Sequence, residues 1–175
     1  PALNEDHAYL AALRYQASRQ PGDMKLLDQV IAAYERLGEP VEGLAYLSSI
    51  AHGPHRQAVL ERTAMLAERA GKDDQAYDTY VHLQQEFGPN ARYALKLANI
   101  LYVRGNFEQA LAAIQVAERA AAPTDDLYWR TFAQLARLNQ RDDLAREAYR
   151  QLLIGGGAQA DDLSAMIDFY DASPI

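Results

Sequence analysis

The chain contains 175 residues, of which 49% are hydrophobic and 23% are charged, and its formal net charge is −7. Cysteine is absent, which excludes disulfides, thiolate nucleophiles and zinc sites with sulfur ligands. The acidic balance argues against nucleic acid as a partner, because phosphate binding needs a basic face. No apolar run approaches the roughly 18 to 20 residues of a membrane span, so we expect no membrane insertion by this segment.

The first predicted helix runs from residue 3 to about residue 19 and stops at Gln20-Pro21-Gly22. Its inward-facing positions are Ala8, Leu10, Leu13 and Ala17. The helix pairs that follow recur at a near-constant interval along the chain. One such interval before the second helix of the first complete pair lies this segment, so it corresponds to the second helix of an earlier pair. We therefore expect the chain to begin within a repeated unit.

Four turn sequences follow at a near-constant interval, and each separates two stretches with apolar residues three and four positions apart. In the clearest copy, Ala94, Leu97 and Leu101 precede the turn at Gly105, and Ile114 follows it. This spacing predicts two antiparallel amphipathic helices joined by a tight turn. The other turns begin at Gly38, Gly71 and Gln140. Pro21, Pro54, Pro89 and Pro123 close the units at separations of 33, 35 and 34 residues.

Two features follow the last complete pair. Gly155-Gly156-Gly157 contains no helix-forming residue and predicts a flexible connection. Residues 160 to about 172 then place apolar residues where the next first helix would have its packing face, namely Leu163, Met166, Ile167 and Tyr170. Because both ends of the chain are apolar and lack a polar capping helix, we expect self-association through the uncapped ends.

The interval of about 34 residues and the apolar pattern resemble those of the tetratricopeptide repeat (TPR) family. The resemblance implies an all-α fold, a right-handed TPR superhelix (α-solenoid) of antiparallel helix pairs. It departs from the family pattern at Thr63, at Gly43 in place of alanine, and at Gln140 in place of the turn glycine. The predicted units of one continuous solenoid are 1–23 (the second helix of a truncated TPR), 24–56, 57–90, 91–125 and 126–159 (complete TPRs), and 160–175 (the first helix of a truncated TPR).

The sequence contains no recognisable catalytic or metal-binding constellation. His52 and His55 have no obvious third ligand beside them. The acidic pairs at residues 73–74, 125–126, 142–143 and 161–162 adjoin predicted helix starts, where carboxylates cap free N–H groups. We therefore expect no enzyme activity, no catalytic residue, no metal and no cofactor.

Aromatic residues mostly fall at packing positions of the repeats, which are Tyr34, Tyr80, Trp129, Tyr149 and Tyr170. Tyr102 differs, because it follows the packing residue Leu101 and is predicted to project toward the surface.

The TPR resemblance implies that the first helices line a concave groove in which ligands dock. Their outward positions carry eight basic and four acidic residues, a local excess of positive charge in an acidic chain. We therefore predict a locally basic groove that binds another protein through an acidic surface or an extended segment. The predicted partner-binding residues are Arg62, Arg69, Arg92, Lys96, Asn99, Tyr102, Arg130, Gln134 and Arg137. In the alternative interpretation, these arginines pair with acids of neighbouring helices, such as Glu61 and Glu68, and form a solvated face.

The resulting functional prediction is a non-catalytic scaffold for protein–protein interaction. The composition and the degenerate repeats resemble bacterial envelope TPR proteins, in particular the periplasmic TPR regions of PelB-like outer-membrane exopolysaccharide export proteins. That resemblance implies a periplasmic scaffold that recruits a polysaccharide-modifying enzyme to a secretion pore. The alternatives are a cytoplasmic TPR assembly factor or regulator and a direct binder of an exported polysaccharide.

Overall fold

The computed structural model describes residues 2–172, with side chains from Asn4 onward, and these residues are helical with no strand. A 3-10 turn, Gly53–His55, precedes the fourth helix. The all-α fold of helix pairs predicted from the sequence is confirmed for these residues. The helices are α1 (Ala2–Arg19), α2 (Met24–Arg36), α3 (Pro40–Ile50), α4 (Arg56–Arg69), α5 (Asp73–Phe87), α6 (Ala91–Val103), α7 (Phe107–Gln115), α8 (Asp126–Leu138), α9 (Asp142–Gly155) and α10 (Ala160–Ala172).

The chain divides into two compact units, Pro1–Leu83 and Gln84–Ile175. The boundary between them lies within α5. In the first unit, α1 packs against α2, and α3 packs against both α2 and α4. Each helix buries one apolar stripe with the spacing of a helical face. The core between α1 and α2 consists of Leu10, Leu13, Ala17, Leu26, Val30, Ala33 and Tyr34.

In the second unit, α6 packs against α7, α7 against α8, and α8 against α9. An aromatic cluster on α8 forms part of the core. The ring centroids of Tyr128 and Trp129 lie 4.9 Å apart, and those of Trp129 and Phe132 lie 5.7 Å apart. Trp129 is only 3% exposed, which confirms its predicted packing role.

Tyr128 also sets the end of α7. Its hydroxyl donates a hydrogen bond to the carbonyl oxygen of Ile114, which a continuing helix would use for residue 118. Burial raises the pKa of Tyr128 well above its usual range, so the hydroxyl keeps its proton as a donor. The chain continues as turns, with the N–H of Glu118 donating to Gln115. Ala117 lies beyond the helix end yet stays fully buried.

The turn inside each complete pair has one repeated hydrogen-bond pattern. In the turn after α6, the N–H of Gly105 donates to Tyr102 and the N–H of Asn106 donates to Leu101. The same two bonds recur after α2, α4 and α8, and they define the helix-ending arrangement in which one residue adopts a left-handed backbone. Glycine supplies that residue in three copies, with φ between 70° and 77°, and Gln140 supplies it in the fourth, with φ of 57°.

The glycine-rich stretch is a close-packed contact and not the flexible connection that we predicted. A Cβ atom on Gly155 would lie 1.9 Å from the carbonyl oxygen of Pro123, and one on Gly157 would lie 1.9 Å from the carboxylate of Asp126. A side chain at either position would collide with these atoms. Glycine is therefore required because the backbone after α9 lies directly on the start of α8.

The acidic pairs occupy the first turns of α5, α8, α9 and α10, where they face the positive end of the helix dipole. Their predicted role as side-chain caps is confirmed at α10, where the carboxylate of Asp162 accepts the N–H of Gln159. Neither α8 nor α9 has a side-chain hydrogen bond from its N-cap residue. Asp23 and Asn90 instead cap α2 and α6 through the N–H groups of Leu26 and Tyr93.

Tyr170 does not occupy the buried position predicted for it. Its side chain is 38% exposed, whereas the preceding residue, Phe169, is 3% exposed. Phe169 packs on Tyr149 with 5.6 Å between ring centroids, and Tyr170 lies against the edge of Phe169. The packing face of α10 is thus displaced by one residue from the predicted register.

Replacement of Gln140 by glycine is expected to stabilise the chain by about 0.5–1 kcal/mol, because glycine adopts the left-handed backbone without steric strain. Gln140 is exposed, so the substitution removes little packing. Thermal or urea unfolding followed by circular dichroism would measure the change. The matched control is Gly105→Gln, which places a side chain in the equivalent turn and should destabilise the chain. A Gln140→Gly variant no more stable than wild type would contradict the argument.

Candidate functional site

A depression of about 640 Å³ lies between α6 and α8. We call it the α6–α8 groove, and its lining residues are Asn99, Tyr102, Thr131, Gln134, Leu135, Arg137 and Leu138. Four of them belong to the nine partner-binding residues predicted from the sequence. Thr131, Leu135 and Leu138 are not among those nine. Helical spacing in the sequence could have identified two of them, because positions 131 and 138 share one face of α8 with the predicted residue Gln134.

The two walls of the groove use equivalent positions of consecutive repeats. Gln134 lies 35 residues after Asn99, and Arg137 lies 35 residues after Tyr102. The two amide side chains are exposed. Each amide offers a carbonyl acceptor and an NH₂ donor, so the groove presents two sets of paired hydrogen-bonding groups.

One side of the groove is apolar and held in place by packing. Tyr102 is 49% exposed, and its ring centroid lies 5.3 Å from that of Phe107. The side-chain amide of Asn139 donates to the carbonyl oxygens of Phe107 and Leu135, at 3.0 and 2.7 Å. This contact ties the end of α8 to the first residue of α7, whose ring packs against Tyr102. Leu138 adds a second apolar surface that is 52% exposed.

Arg137 is the only charged residue among the seven described residues of the groove lining. Its Nη1 atom lies 3.4 Å from the hydroxyl of Tyr149, and its guanidinium lies 5.8 Å from the centroid of the Phe169 ring. These contacts orient the guanidinium. A guanidinium has five N–H donors, so Arg137 can bind a carboxylate while it keeps its contact with Tyr149.

Arg130, about two turns earlier on α8, forms an ion pair with α10. Its Nε and Nη2 atoms donate to the two carboxylate oxygens of Asp162 at 2.6 and 2.8 Å. Asp162 is only 7% exposed and also accepts the backbone N–H of Gln159. The hydrogen bonds from Arg130 hold the pKa of Asp162 below its usual range. The geometry gives Arg130 a structural role.

Arg62 and Arg69 lie in the first unit and form similar pairs. Arg62 donates to Asp28 at 2.7 and 3.3 Å, and Arg69 donates to Glu35 at 3.0 and 2.9 Å. Each acid precedes its arginine by 34 residues, so each pair joins equivalent faces of α2 and α4. Both pairs are partly exposed, and pairs of this kind typically contribute about 0.2–1 kcal/mol each.

The remaining predicted cations, Arg92 and Lys96, lie on the first half of α6, before the groove-lining residue Asn99. Arg92 is exposed and Lys96 is half-buried. The alternative interpretation, in which the arginines pair with acids of neighbouring helices, describes Arg62, Arg69 and Arg130, but their partners are Asp28, Glu35 and Asp162 in place of the expected Glu61 and Glu68. The repeat interval could have predicted two of these ion pairs from the sequence, because Asp28 and Glu35 lie one repeat before Arg62 and Arg69.

Two other kinds of site are absent from the described part of the chain. No group of three or more histidine, aspartate or glutamate side chains comes close enough to hold a metal ion in residues 2–172. Among the same residues, no helix combines the length and hydropathy that a membrane span requires.

The family profile described as tetratricopeptide repeat matches residues 82–174, which is more than half of the chain. The chain belongs to the tetratricopeptide repeat family. The TPR match includes both walls of the α6–α8 groove. A comparison with curated protein sequences finds no significant match.

Solved structures with the TPR fold resemble this chain over most of its length. MamA residues 41 to the end from Desulfovibrio magneticus RS-1 has a TM-score of 0.60 and 15% identity, over 89% of this chain and 88% of that one. A TPR protein from Parabacteroides merdae has a TM-score of 0.61 and 16% identity, over 95% and 66%. A chain of the APC/C hetero-tetramer Cut9–Hcn1 has a TM-score of 0.56 and 13% identity, over 98% and 34%. At these identities the likeness concerns the fold alone.

The Arg130–Asp162 pair leads to a pH-dependent prediction. At neutral pH, Asp162→Asn is expected to lower the free energy of unfolding by about 1–3 kcal/mol, because it removes a charged partner from Arg130. The folded-state pKa of Asp162 is depressed, so its contribution is present above about pH 3.9, the unfolded-state value, and disappears as the pH falls through the folded-state value. The stability difference between wild type and variant should therefore shrink in acid.

Chemical unfolding at several pH values would measure this difference. Asp161→Asn is the matched control, because Asp161 is the adjacent, exposed acid in the same helical turn. The control should unfold like wild type at neutral pH. Equal losses for the two variants, or a difference for Asp162→Asn that does not shrink in acid, would show that the pair does not act as described.

Proposed function

We propose that this chain is a non-catalytic scaffold for protein–protein interaction and that the α6–α8 groove binds an extended polypeptide segment of its partner. The observation that carries the proposal is the convergence of Asn99, Tyr102, Gln134 and Arg137 on one depression. These residues come from two successive first helices of a TPR array. Their exposure, chemistry and spacing favour a ligand that runs across both helices.

The two amides favour the backbone of an extended chain. A peptide group presents one N–H donor and one C=O acceptor, and an Asn or Gln amide can bond to both. An extended segment leaves these backbone groups unpaired, whereas a helical segment uses most of them internally. Asn99 and Gln134 therefore match an extended polypeptide better than a helical one.

The rest of the lining describes the side chains that the segment would carry. Tyr102 and Leu138 form an exposed apolar surface, which favours an apolar side chain of the partner. Arg137 favours a carboxylate next to that apolar residue. The expected ligand is thus an extended segment with neighbouring apolar and acidic residues, which agrees in sign with the acidic partner predicted from the sequence.

The internal ion pairs reduce the number of predicted arginines that a ligand could bind. Arg62, Arg69 and Arg130 already bind Asp28, Glu35 and Asp162, so a ligand that used these arginines would have to displace an internal carboxylate. Arg92 and Lys96 lie on α6 and would extend the positive charge of the site toward the start of that helix. We propose them as secondary contacts and assign the main role to the groove lining.

The resemblance to solved structures supports a scaffold. One matched chain comes from a structure described as a hetero-tetramer of Cut9 and Hcn1, in which a TPR-like fold is part of a multiprotein assembly. Direct binding of a polysaccharide has less support, because sugar recognition would favour several exposed aromatic rings. Tyr102 is the only aromatic residue among the seven described residues of the lining.

The narrower prediction, recruitment of a polysaccharide-modifying enzyme in the periplasm by a PelB-like export protein, stays a prediction from the sequence. Self-association stays a prediction as well. Recovery of a polysaccharide-modifying enzyme that needs Asn99 and Gln134 for binding would support the narrower role. A cytoplasmic partner with the same requirement would favour the cytoplasmic alternative.

The main test is a selection of binding peptides from a display library of unstructured sequences, followed by affinity measurements on variants. The double variant Asn99→Ala, Gln134→Ala should weaken the selected peptides by about tenfold or more, because it removes hydrogen bonds to the peptide backbone from both walls. Isothermal calorimetry or fluorescence anisotropy would measure the dissociation constants.

The matched control is the double variant Asn106→Ala, Gln109→Ala. It removes the same residue types from the exposed start of α7, outside the groove lining. Its affinity should equal that of wild type. The proposal fails if no peptide is selected, or if the selected peptides bind both double variants equally well.

A further inference from the structure

A second depression, of about 750 Å³, lies in the first unit between α1, α3 and the turns that precede α2 and α4. We call it the α1–α3 cavity. It is independent of the α6–α8 groove, because its lining residues all lie between Ala11 and Val59. Its volume falls in the range of about 300–1,000 Å³ that is typical of sites for small organic ligands.

The cavity has an apolar floor and an aromatic wall. Ala17, Leu27 and Val59 form the floor and are buried. Tyr46 is half-buried in the wall, and Tyr15 is 65% exposed at the rim. Flat aromatic surfaces above an apolar floor favour a ligand with an aromatic or branched apolar body.

Arg14 supplies a positioned cation in the same wall. Its guanidinium carbon lies 4.9 Å from the centroid of the Tyr46 ring. Burial raises the pKa of the Tyr34 hydroxyl, and the positive charge of Arg14 acts in the opposite direction. The contact with Tyr46 orients the guanidinium, which retains N–H donors for an anion.

The remaining polar groups of the lining include two histidines and one acid. His52 and His55 line the cavity from the turn before α4, and neither can add negative charge. Asp23 is the only acid among the described lining residues, and its carboxylate accepts the backbone N–H of Leu26 at 3.0 Å. That carboxylate caps the positive end of α2, so the cavity combines apolar walls with one oriented cation and one acid that is directed at a helix start.

We propose that the α1–α3 cavity binds a small organic acid with an aromatic body, whose carboxylate is held by Arg14 and whose ring lies between Tyr15 and Tyr46. Charge complementarity favours an anion, because the guanidinium of Arg14 keeps N–H donors for a carboxylate, whereas the lining's own carboxylate, Asp23, accepts the N–H of Leu26 at the start of α2. The apolar floor selects a ring over a fully polar anion. Walls on several sides, formed by four helices and two turns, favour a compact ligand over a continuous polypeptide.

The test compares a carboxylate with its uncharged analogue on the full chain. The probes are 2-naphthoate and 2-naphthamide, with dissociation constants obtained from nuclear magnetic resonance titration. The acid should bind roughly tenfold more tightly than the amide, as expected for one charge-assisted pair of hydrogen bonds. Arg14→Gln should remove this difference and leave the affinity for the amide unchanged. The matched control, Arg19→Gln on the same helix, should behave like wild type.

A second pair of variants keeps Arg14 intact. Ala11 lines the cavity, so Ala11→Phe should fill it and weaken both probes, whereas Ala12→Phe, at an exposed neighbouring position outside the lining, should weaken neither. Equal affinities for acid and amide, or equal effects of the Arg14 and Arg19 variants, would overturn the proposal. So would binding of a short peptide that ends in phenylalanine when 2-naphthoate does not bind, because the occupant would then be a polypeptide.

Discussion

Arginine–carboxylate pairs between consecutive first helices are the interaction on which the polar surface of this repeat protein depends. In the first unit they join α2 to α4 through Asp28–Arg62 and Glu35–Arg69, and in the second unit Arg130 joins α8 to α10 through Asp162. Each pair has two hydrogen bonds, which fixes the angle of both side chains. The outward faces of these helices are therefore partly engaged by their own neighbours, and a ligand meets what the pairs leave accessible.

In the second unit the accessible surface is the α6–α8 groove. Its polar character comes from two amides and one guanidinium, and its apolar character from Tyr102 and Leu138. Two residues outside the lining hold the groove in place. The ring of Phe107 packs against Tyr102, and the side chain of Asn139 joins α8 to α7 by a hydrogen bond. A preformed groove costs less conformational entropy on binding than a mobile one. These properties suit a scaffold, which must hold a partner and has no need to transform it.

The sequence predicted the helix pairs and most of the core because both follow from local spacing. The turns were predictable as well, because Gly38, Gly71 and Gly105 adopt the left-handed backbone that favours glycine. Gln140 adopts the same backbone in the fourth turn, and its position there was recognisable from the repeat interval alone. Partner acids were harder to predict, because pairing across repeats depends on how helices pack. Packing also explains the two outright errors: the glycine stretch proved to be a contact with Asp126, and Phe169 took the buried place expected for Tyr170.

The most direct measurement of the central claim is a nuclear magnetic resonance titration that follows the side-chain NH₂ groups of asparagine and glutamine while a library-selected peptide binds. Our account predicts that the largest changes occur at Asn99 and Gln134, with Asn106 and Gln109 unaffected. Changes centred on Asn106 and Gln109, or saturating binding without a change at Asn99 and Gln134, would contradict the assignment of partner binding to the α6–α8 groove.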